Sequence, residues 1–378
     1  MKPPSPSSTF IQNATPGPLP GPMRHKGRGA ASNPEGRFET IRRSVEDDGW
    51  TPDADVVEPA RPKTQVTIEA ARSIISRNDS PDIGFDLSIN AYRGCEHGCT
   101  YCYARPSHGY LNLSAGLDFE TRLFAKTNAA ELLRKELAKP SHVCSPINLG
   151  ANTDPYQPIE KRYRITRSVL EVLLETRHPC TIVTKNALVE RDIDLLSELA
   201  KRRLVHVFVS VTSLDNRLAS TLEPRASAPH RRLKAVETLN NAGVPCGVMV
   251  APIIPFVTDQ FMERILEHAA QAGARVAGYT ILRLPWELKD LFRQWLELHL
   301  PDRAGHVMAR LNDMRGGKDN DPRFHARMRG QGEFAELLRQ RFALACKKHG
   351  INRGREWLSL DTTAFTPPRD GPAQGSLF

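Results

Sequence analysis

The chain has 378 residues, 40% of them hydrophobic, and a formal net charge of +9. That length can bury one large core or two smaller ones, and no stretch approaches the apolar length of a membrane span. The seven cysteines do not form a secretory pattern and residues 1–22 carry no signal-peptide core, which points to a reducing cytoplasm.

Residues 1–62 are poor in apolar side chains and rich in Pro and Gly, and read as a largely disordered arm. Within it, Gly27-Arg-Gly-Ala-Ala-Ser-Asn-Pro-Glu-Gly-Arg37-Phe38 is either a docking strip, an anion-binding turn or a plain linker. Residues 63–285 form the expected core domain. A strand over 87–91 leads into a cysteine-rich loop, and a helix follows over 129–137 with Leu132, Leu133 and Leu137 on one face. Residues 147–151 are a second strand. Thr166 is placed to cap a helix carrying Val169, Leu170, Leu173 and Leu174. Residues 181–184 are a third strand, followed by a helix with Ile193, Leu195, Leu196 and Leu199. The β-branched run 204–211 suits a fully buried fourth strand, and the next helix carries Leu233, Val236 and Leu239 and stops at Gly243. Strands over 248–251 and 276–281 close the series, separated by a helix opening at Thr258-Asp259.

Six β/α units of about 30 residues give either an open doubly wound sheet or a partial (β/α)6 barrel of the TIM-like kind. No G-x-G-x-x-G follows the first strand, which weakens a dinucleotide-binding reading. Residues 286–362 read as a helical extension, expected to pack on the barrel's open side, and 363–378 as a flexible tail. The linker from Arg315 to Gly332 is a solvated charged loop or a phosphate contact.

The loop after the first strand reads Cys95-Glu-His-Gly-Cys99-Thr-Tyr-Cys102. Three thiolates at this spacing can each take one iron of a [4Fe–4S] cubane. The next cysteine, Cys144, is too distant to complete the set, so one iron stays open for a small molecule. A Cys₃His zinc site using His97 is the competing reading, but Cys-x-His-x-Cys crowds the ligands.

This loop resembles that of the radical S-adenosylmethionine (SAM) superfamily. The resemblance implies a partial (β/α)6 barrel with the cluster after its first strand. It also implies SAM on the open iron, cleaved to a 5′-deoxyadenosyl radical by an electron from a donor such as flavodoxin or ferredoxin. Within the superfamily, the run from Asn90 to Tyr110, the stretch Asn152-Thr-Asp-Pro-Tyr-Gln-Pro, Leu222-Glu-Pro-Arg225 and Ala251-Pro-Ile-Ile-Pro are similar to the spore photoproduct lyase-like branch, often labelled DNA repair photolyase. On that resemblance Tyr101 and Tyr103, flanking Cys102, are candidate catalytic residues. That branch places a hydrogen-donating cysteine near the end of the second strand, where this chain has Gly150-Ala-Asn-Thr153.

Asking what SAM needs at the strand ends assigns further candidates. Asn152, Thr153 and Asp154 follow the second strand and offer acceptors to an ammonium. Lys185 ends the third and suits a carboxylate. Ser210 and Thr212 end the fourth and suit ribose hydroxyls; Arg225 is either a cofactor contact or an ordinary salt-bridge partner.

Together these readings describe a lyase-like radical SAM enzyme, acting on nucleic acid in repair or base modification. The alternatives are action on a peptide, protein or small molecule, and a non-enzymatic metal-binding module. The positive net charge favours a polyanionic partner. The chain closes on Gln374-Gly-Ser-Leu-Phe378, similar to the short peptides that dock on the bacterial replication sliding clamp. The other reading of that segment is packing of Leu377 and Phe378 against the chain's own barrel.

Overall fold

Val, Ile and Leu crowd the six strands expected to be parallel, as a sheet covered on both faces requires. The computed structural model describes residues 25–38, 62–354 and 359–368. Its strands are β1 (Gln65–Ile68), β2 (Ile75–Arg77), β3 (Leu87–Ile89), β4 (Tyr92–Arg93), β5 (Arg122–Ala125), β6 (Ile147–Leu149), β7 (Cys180–Thr184), β8 (Val205–Ser210), β9 (Cys246–Ile253) and β10 (Ala277–Ile281). One sheet runs in the order β10-β9-β8-β7-β6-β3-β2. From β3 to β10 every pair in it is parallel, and β2 closes the far edge antiparallel to β3. The six parallel strands are the six predicted ones, in an open partial barrel.

Two strands stop earlier than their apolar runs suggest. Beyond β3, Tyr92 and Arg93 leave the main sheet to pair with β5 in a separate sheet of order β1-β5-β4. The cysteine loop therefore starts from this small sheet. Beyond β6, the backbone N–H groups of Asn152 and Thr153 bond the Asn90 side chain (2.8 and 3.2 Å) instead of continuing the ladder.

Helices Ala129–Leu137, Ile165–Glu175, Ile193–Ala200, Pro229–Asn241 and Met262–Gln271 lie between the parallel strands. Leu133, Leu137, Leu170, Leu173, Leu196, Leu199, Val236 and Leu239 are buried, matching the predicted faces. The expected cap is different. Ile165 already begins its helix, and the Thr166 hydroxyl donates to the Pro155 carbonyl (2.5 Å). The buried Glu160 carboxylate takes the capping task, accepting from the Thr166 and Arg167 N–H groups (3.1 and 3.4 Å). A carboxylate there also meets the positive end of the helix dipole. Glu160 accepts the Tyr92 hydroxyl as well and pairs with Arg191, so it ties the entry of the cysteine loop to the barrel wall.

The C-terminal helices are Leu288–His299, Pro301–Asp313 and Glu333–His349. Trp295 is buried and donates its indole N–H to the Thr221 carbonyl (3.1 Å). Asn352 covers the free edge of β10, its amide bonding both the N–H and the carbonyl of Ala277 (2.9 and 3.0 Å). That pairing blunts an open sheet edge. Residues 363–368, expected in the tail, are docked: the Thr366 N–H bonds the Thr176 carbonyl, and Phe365 packs against His142 and His178. The clamp-like segment Gln374–Phe378 lies outside the described residues. No described helix is long and apolar enough to cross a membrane.

Candidate iron–sulfur and cofactor site

The cysteine loop carries little apolar content, so hydrogen bonds must hold it. Arg105 supplies five. Its guanidinium is fully buried and donates to the carbonyls of Cys99 (2.8 Å), Gly98 (3.1 Å), Ala115 (3.1 Å) and Gly116 (2.9 Å), and to the Glu120 carboxylate (2.5 Å). Every guanidinium N–H is thereby satisfied, which offsets the cost of burying the charge. From the other side, Gln157 is fully buried, donates to the Gly94 carbonyl (3.1 Å) and accepts the Glu96 N–H (2.8 Å).

Glu120 reaches beyond the loop. Its two oxygens accept the N–H groups of Ala30 and Gly29 (2.8 and 2.9 Å), and its carbonyl accepts Arg28 (2.9 Å). The segment 27–38 is thus a docking strip rather than a free linker. Contact is close enough to dictate residue type: a Cβ on Gly29 would lie 1.9 Å from the Gly98 carbonyl oxygen. Gly98 itself has φ +65, and a Cβ there would lie 2.6 Å from the Glu120 carboxylate.

Cys95 and Cys99 are buried, Cys102 half-buried. Burial pushes the Cys99 thiol up to about 12, with Lys185 pulling the other way. Burial likewise raises Cys95 well above the usual thiol range, reinforced by Asp154 and the neighbouring cysteines. Such thiols hold their protons until a metal displaces them. Among the described residues, no three His, Cys, Asp or Glu side chains converge on a single ion. A cubane asks for no such convergence, since each thiolate takes its own iron. The donor set of three thiols on one loop, two of them buried and with Lys185 lining the same cavity as Cys99 and Cys102, fits a cluster.

His97, the fourth ligand of the zinc alternative, is committed elsewhere. Its Nδ1 lies 3.3 Å from Asp154 and its Nε2 lies 3.2 Å from the Asn186 amide. Asp154 is filled by the chain as well. It accepts the Thr184 hydroxyl (2.7 Å), the Lys185 N–H (2.7 Å) and the Tyr156 N–H (2.9 Å). Burial opposes its charge, but His97 and these donors outweigh that and hold its pKa at about 2. Asp154 thus ties the ends of β6 and β7 to the cysteine loop, both of its oxygens engaged by partners from the chain. Thr153 donates to the Tyr92 carbonyl (3.2 Å), while Asn152 meets Asn90 through its backbone.

Lys185 stands differently. Among the described residues no carboxylate forms a salt bridge with its ammonium, which lies 5.9 Å from the centre of the Tyr101 ring. Burial alone would lower its pKa; Cys99, Glu223, Asp154 and Cys102 outweigh it and raise it. It lines a cavity of about 120 Å³ together with Cys99, Cys102, Tyr101, Tyr103 and Arg283. Ser210 is buried and its carbonyl accepts Arg232 (3.0 Å). Thr212 donates toward Glu223 (2.9 Å) and the Ala251 carbonyl (3.0 Å). Arg225 takes the salt-bridge alternative, pairing with Glu96 (3.0 Å).

Glu223 was not singled out from the sequence, although it sits in the Leu222-Glu-Pro-Arg225 stretch. Buried at 3% exposure, it accepts Tyr101 and Thr212 on one oxygen and Arg232 on the other. Tyr101 is held in the cavity lining by this carboxylate. Tyr103 is 48% exposed, and its hydroxyl donates to the Ala151 carbonyl.

Arg105→Met leaves Glu120 buried without its cation, a loss of about 3–5 kcal/mol. We expect a lower urea midpoint and reduced iron retention, and no rescue by Arg105→Lys, since an ammonium cannot span five acceptors. Wild-type stability in Arg105→Met would show that the loop does not hang on this pair.

Comparison with known proteins follows this geometry. The family model described as the Radical SAM superfamily matches residues 89–269. Uncharacterized proteins of Mycobacterium tuberculosis and Mycobacterium bovis are 35% identical over 297 residues, covering 78% of this chain and 82% of theirs. An uncharacterized protein of Methanocaldococcus jannaschii is 29% identical over 176 residues, covering 47% of this chain and 63% of its own. Among solved structures, spore photoproduct lyase complexed with dinucleoside spore photoproduct superposes with a TM-score of 0.53 at 15% identity, covering 76% of this chain and 80% of that one. At that identity the likeness is one of fold. The family match begins on β3 and ends in the helix after β9, enclosing the cysteine loop and the strand ends that face it: the chain belongs to the radical SAM superfamily.

Proposed function

We propose that this protein is a radical SAM enzyme acting on nucleic acid. The cofactors of the superfamily are a [4Fe–4S] cluster and SAM; when bound, the cluster supplies the electron that cleaves SAM to a 5′-deoxyadenosyl radical. Cys95, Cys99 and Cys102 would hold the cluster. Lys185, a cation in the same cavity with no salt bridge among the described residues, would take the SAM carboxylate. Asp154 orients Lys185 by holding its backbone N–H, and fixes His97 within the cysteine loop. Electrons would come from a donor such as flavodoxin or ferredoxin, and the oxygen-sensitive centre suits the cytoplasm.

The observation that carries the nucleic-acid reading is the half-exposed Tyr103 ring. It adjoins Cys102 and lines the cavity, with the Arg283 guanidinium 5.6 Å from its ring centre. An aromatic face beside a cation is the common platform for an unstacked base. The net charge of +9 agrees with a polyanionic partner. The solved lyase of similar fold was complexed with dinucleoside spore photoproduct, which supports the same class.

The strict thymine-dimer lyase reaction is a poorer fit. Gly150-Ala-Asn-Thr153 stands where that branch carries its hydrogen donor, and Cys144 precedes β6, at the end of the strand away from the cysteine loop. A radical left on a base would need another quencher. Base modification, or repair with a different hydrogen source, agrees better with these residues.

Substitution of Cys95, Cys99 or Cys102 by Ala should abolish the brown chromophore after anaerobic reconstitution, whereas Cys144, Cys180, Cys246 or Cys346 variants keep it. Iron content and absorbance read this directly, and a colourless zinc-loaded wild type would overturn the cluster assignment.

Lys185→Met should weaken SAM binding about ten-fold with iron content unchanged, the loss of one charge-assisted hydrogen bond. Asp154→Ala should lower both, because it supports loop and lysine together. If Asp154→Ala loses SAM affinity but keeps full iron, it is a ligand rather than a strut.

For substrate class, the reduced holoenzyme is turned over with SAM and uniformly deuterated DNA, RNA or protein digest, and the 5′-deoxyadenosine is weighed. Deuterium is expected from nucleic acid. Transfer from the protein digest alone would replace this reading with peptide modification.

A further inference from the structure

Two cations in the cavity beside the cysteines lack an anionic partner among the described residues, and SAM brings only one carboxylate. Lys185 accounts for it. Arg283, just beyond β10, remains. No described carboxylate forms a salt bridge with it, its Nε is buried with no hydrogen-bond partner, and its Nη1 reaches only the Met328 sulfur at 3.8 Å. The side chain is half-buried, and a buried donor without a partner is costly unless a ligand completes it.

The neighbouring arginines are more heavily engaged, although the Nε of Arg315 is also buried without a partner. Arg327 is paired with Asp82, which also accepts the His325 N–H (3.1 Å). Arg315 donates to the carbonyls of Ala326 (2.7 Å), Arg327 (2.8 Å) and Leu282 (2.8 Å). These contacts hold Arg315 and Arg327 beside the end of β10, while residues 316–318 and 322–325 of the same linker are exposed. Arg283 feels the charge of Arg327 as well as its own burial, and both lower its pKa. Tyr103 and Asp82 pull the other way without overcoming them.

We propose that Arg283 binds a phosphate group of the substrate, holding it against Tyr103 beside the cluster cysteines. A guanidinium fork matches a pair of phosphate oxygens. The proposal rests on the nucleic-acid reading, in which that phosphate is a phosphodiester next to the base stacked on Tyr103. A free nucleotide would present the same chemistry as a monoester.

The test uses reconstituted full-length protein with SAM, as wild type, Arg283→Met and Arg283→Lys, each first checked for equal iron content. Inorganic phosphate is titrated against the reduced protein, and the paramagnetic cluster broadens the ³¹P resonance of any phosphate held beside it. Broadening is expected in the wild type, lost in Arg283→Met and weaker in Arg283→Lys, which keeps the charge without the fork. If Arg283→Met fails to load iron, Arg283→Lys against wild type carries the comparison. No broadening in the wild type, or equal broadening in all three, overturns the site.

Tetrathymidylate and thymidine 5′-monophosphate identify the source. Tetrathymidylate affinity should fall at least about ten-fold in Arg283→Met, the loss of a charge-assisted contact. If phosphate and the mononucleotide need Arg283 while tetrathymidylate does not bind, the anion site stands and the nucleic-acid reading falls. If tetrathymidylate binds wild type and Arg283→Met alike, the nucleic-acid reading stands and the Arg283 site falls.

Discussion

A single buried ion pair, Arg105 with Glu120, sits under everything the site does. Both side chains are fully buried, so removing either leaves the other without its partner in the interior. Arg105 spends its remaining donors on loop carbonyls, turning a flexible run of Gly, Glu and His into a rigid frame for three thiols. Glu120 spends its remaining lone pairs on the backbone of the 27–38 strip. The pair therefore sets two surfaces at once: the shape of the cysteine loop, and the lid of chain that seals its outer side. A hydrophobic pair of the same volume would fill the space but could not order carbonyls lying in several directions.

The second constraint is the polar network at the strand ends. Asp154, His97 and Asn186 link the ends of β6 and β7 to the cysteine loop, while Glu223, Arg232, Tyr101 and Thr212 do the same from β8. Each group is satisfied by another, as buried polar networks must be. What these networks leave over is informative. Lys185 and Arg283 are cations in the cavity that form no salt bridge with a described carboxylate. The site thus divides into a saturated frame and two unsatisfied positions, one near the cysteines and one at the end of β10.

Much of the fold was legible from the chain. The six parallel strands and the helices between them follow from apolar periodicity, because a sheet covered on both faces tolerates little else. The cysteine spacing was legible too, since three thiols on one short loop serve few purposes. Reading went astray where polar residues compete for the same backbone. Thr166 looks like a cap, yet Glu160, six residues earlier, reaches the same N–H groups. Asp154 looks like a ligand, yet the folded strand ends surround it with donors. Residues 363–368 have the composition of a tail, but Phe365 finds two histidines to pack on.

What the sequence alone determined is whatever depends on local spacing: the order and type of the elements, the three thiols, and the tyrosines that flank the last of them. Only the tertiary structure decided which charges are structural and which are free. Arg105, Arg232, Lys185 and Arg283 are alike in sequence, each a cation near a motif. Their partners, Glu120, Glu223 or none among the described residues, come from elements that meet only when the barrel closes around the loop. A charge gains its role from the desolvation and the neighbours it meets there, and neither is written in the residues beside it.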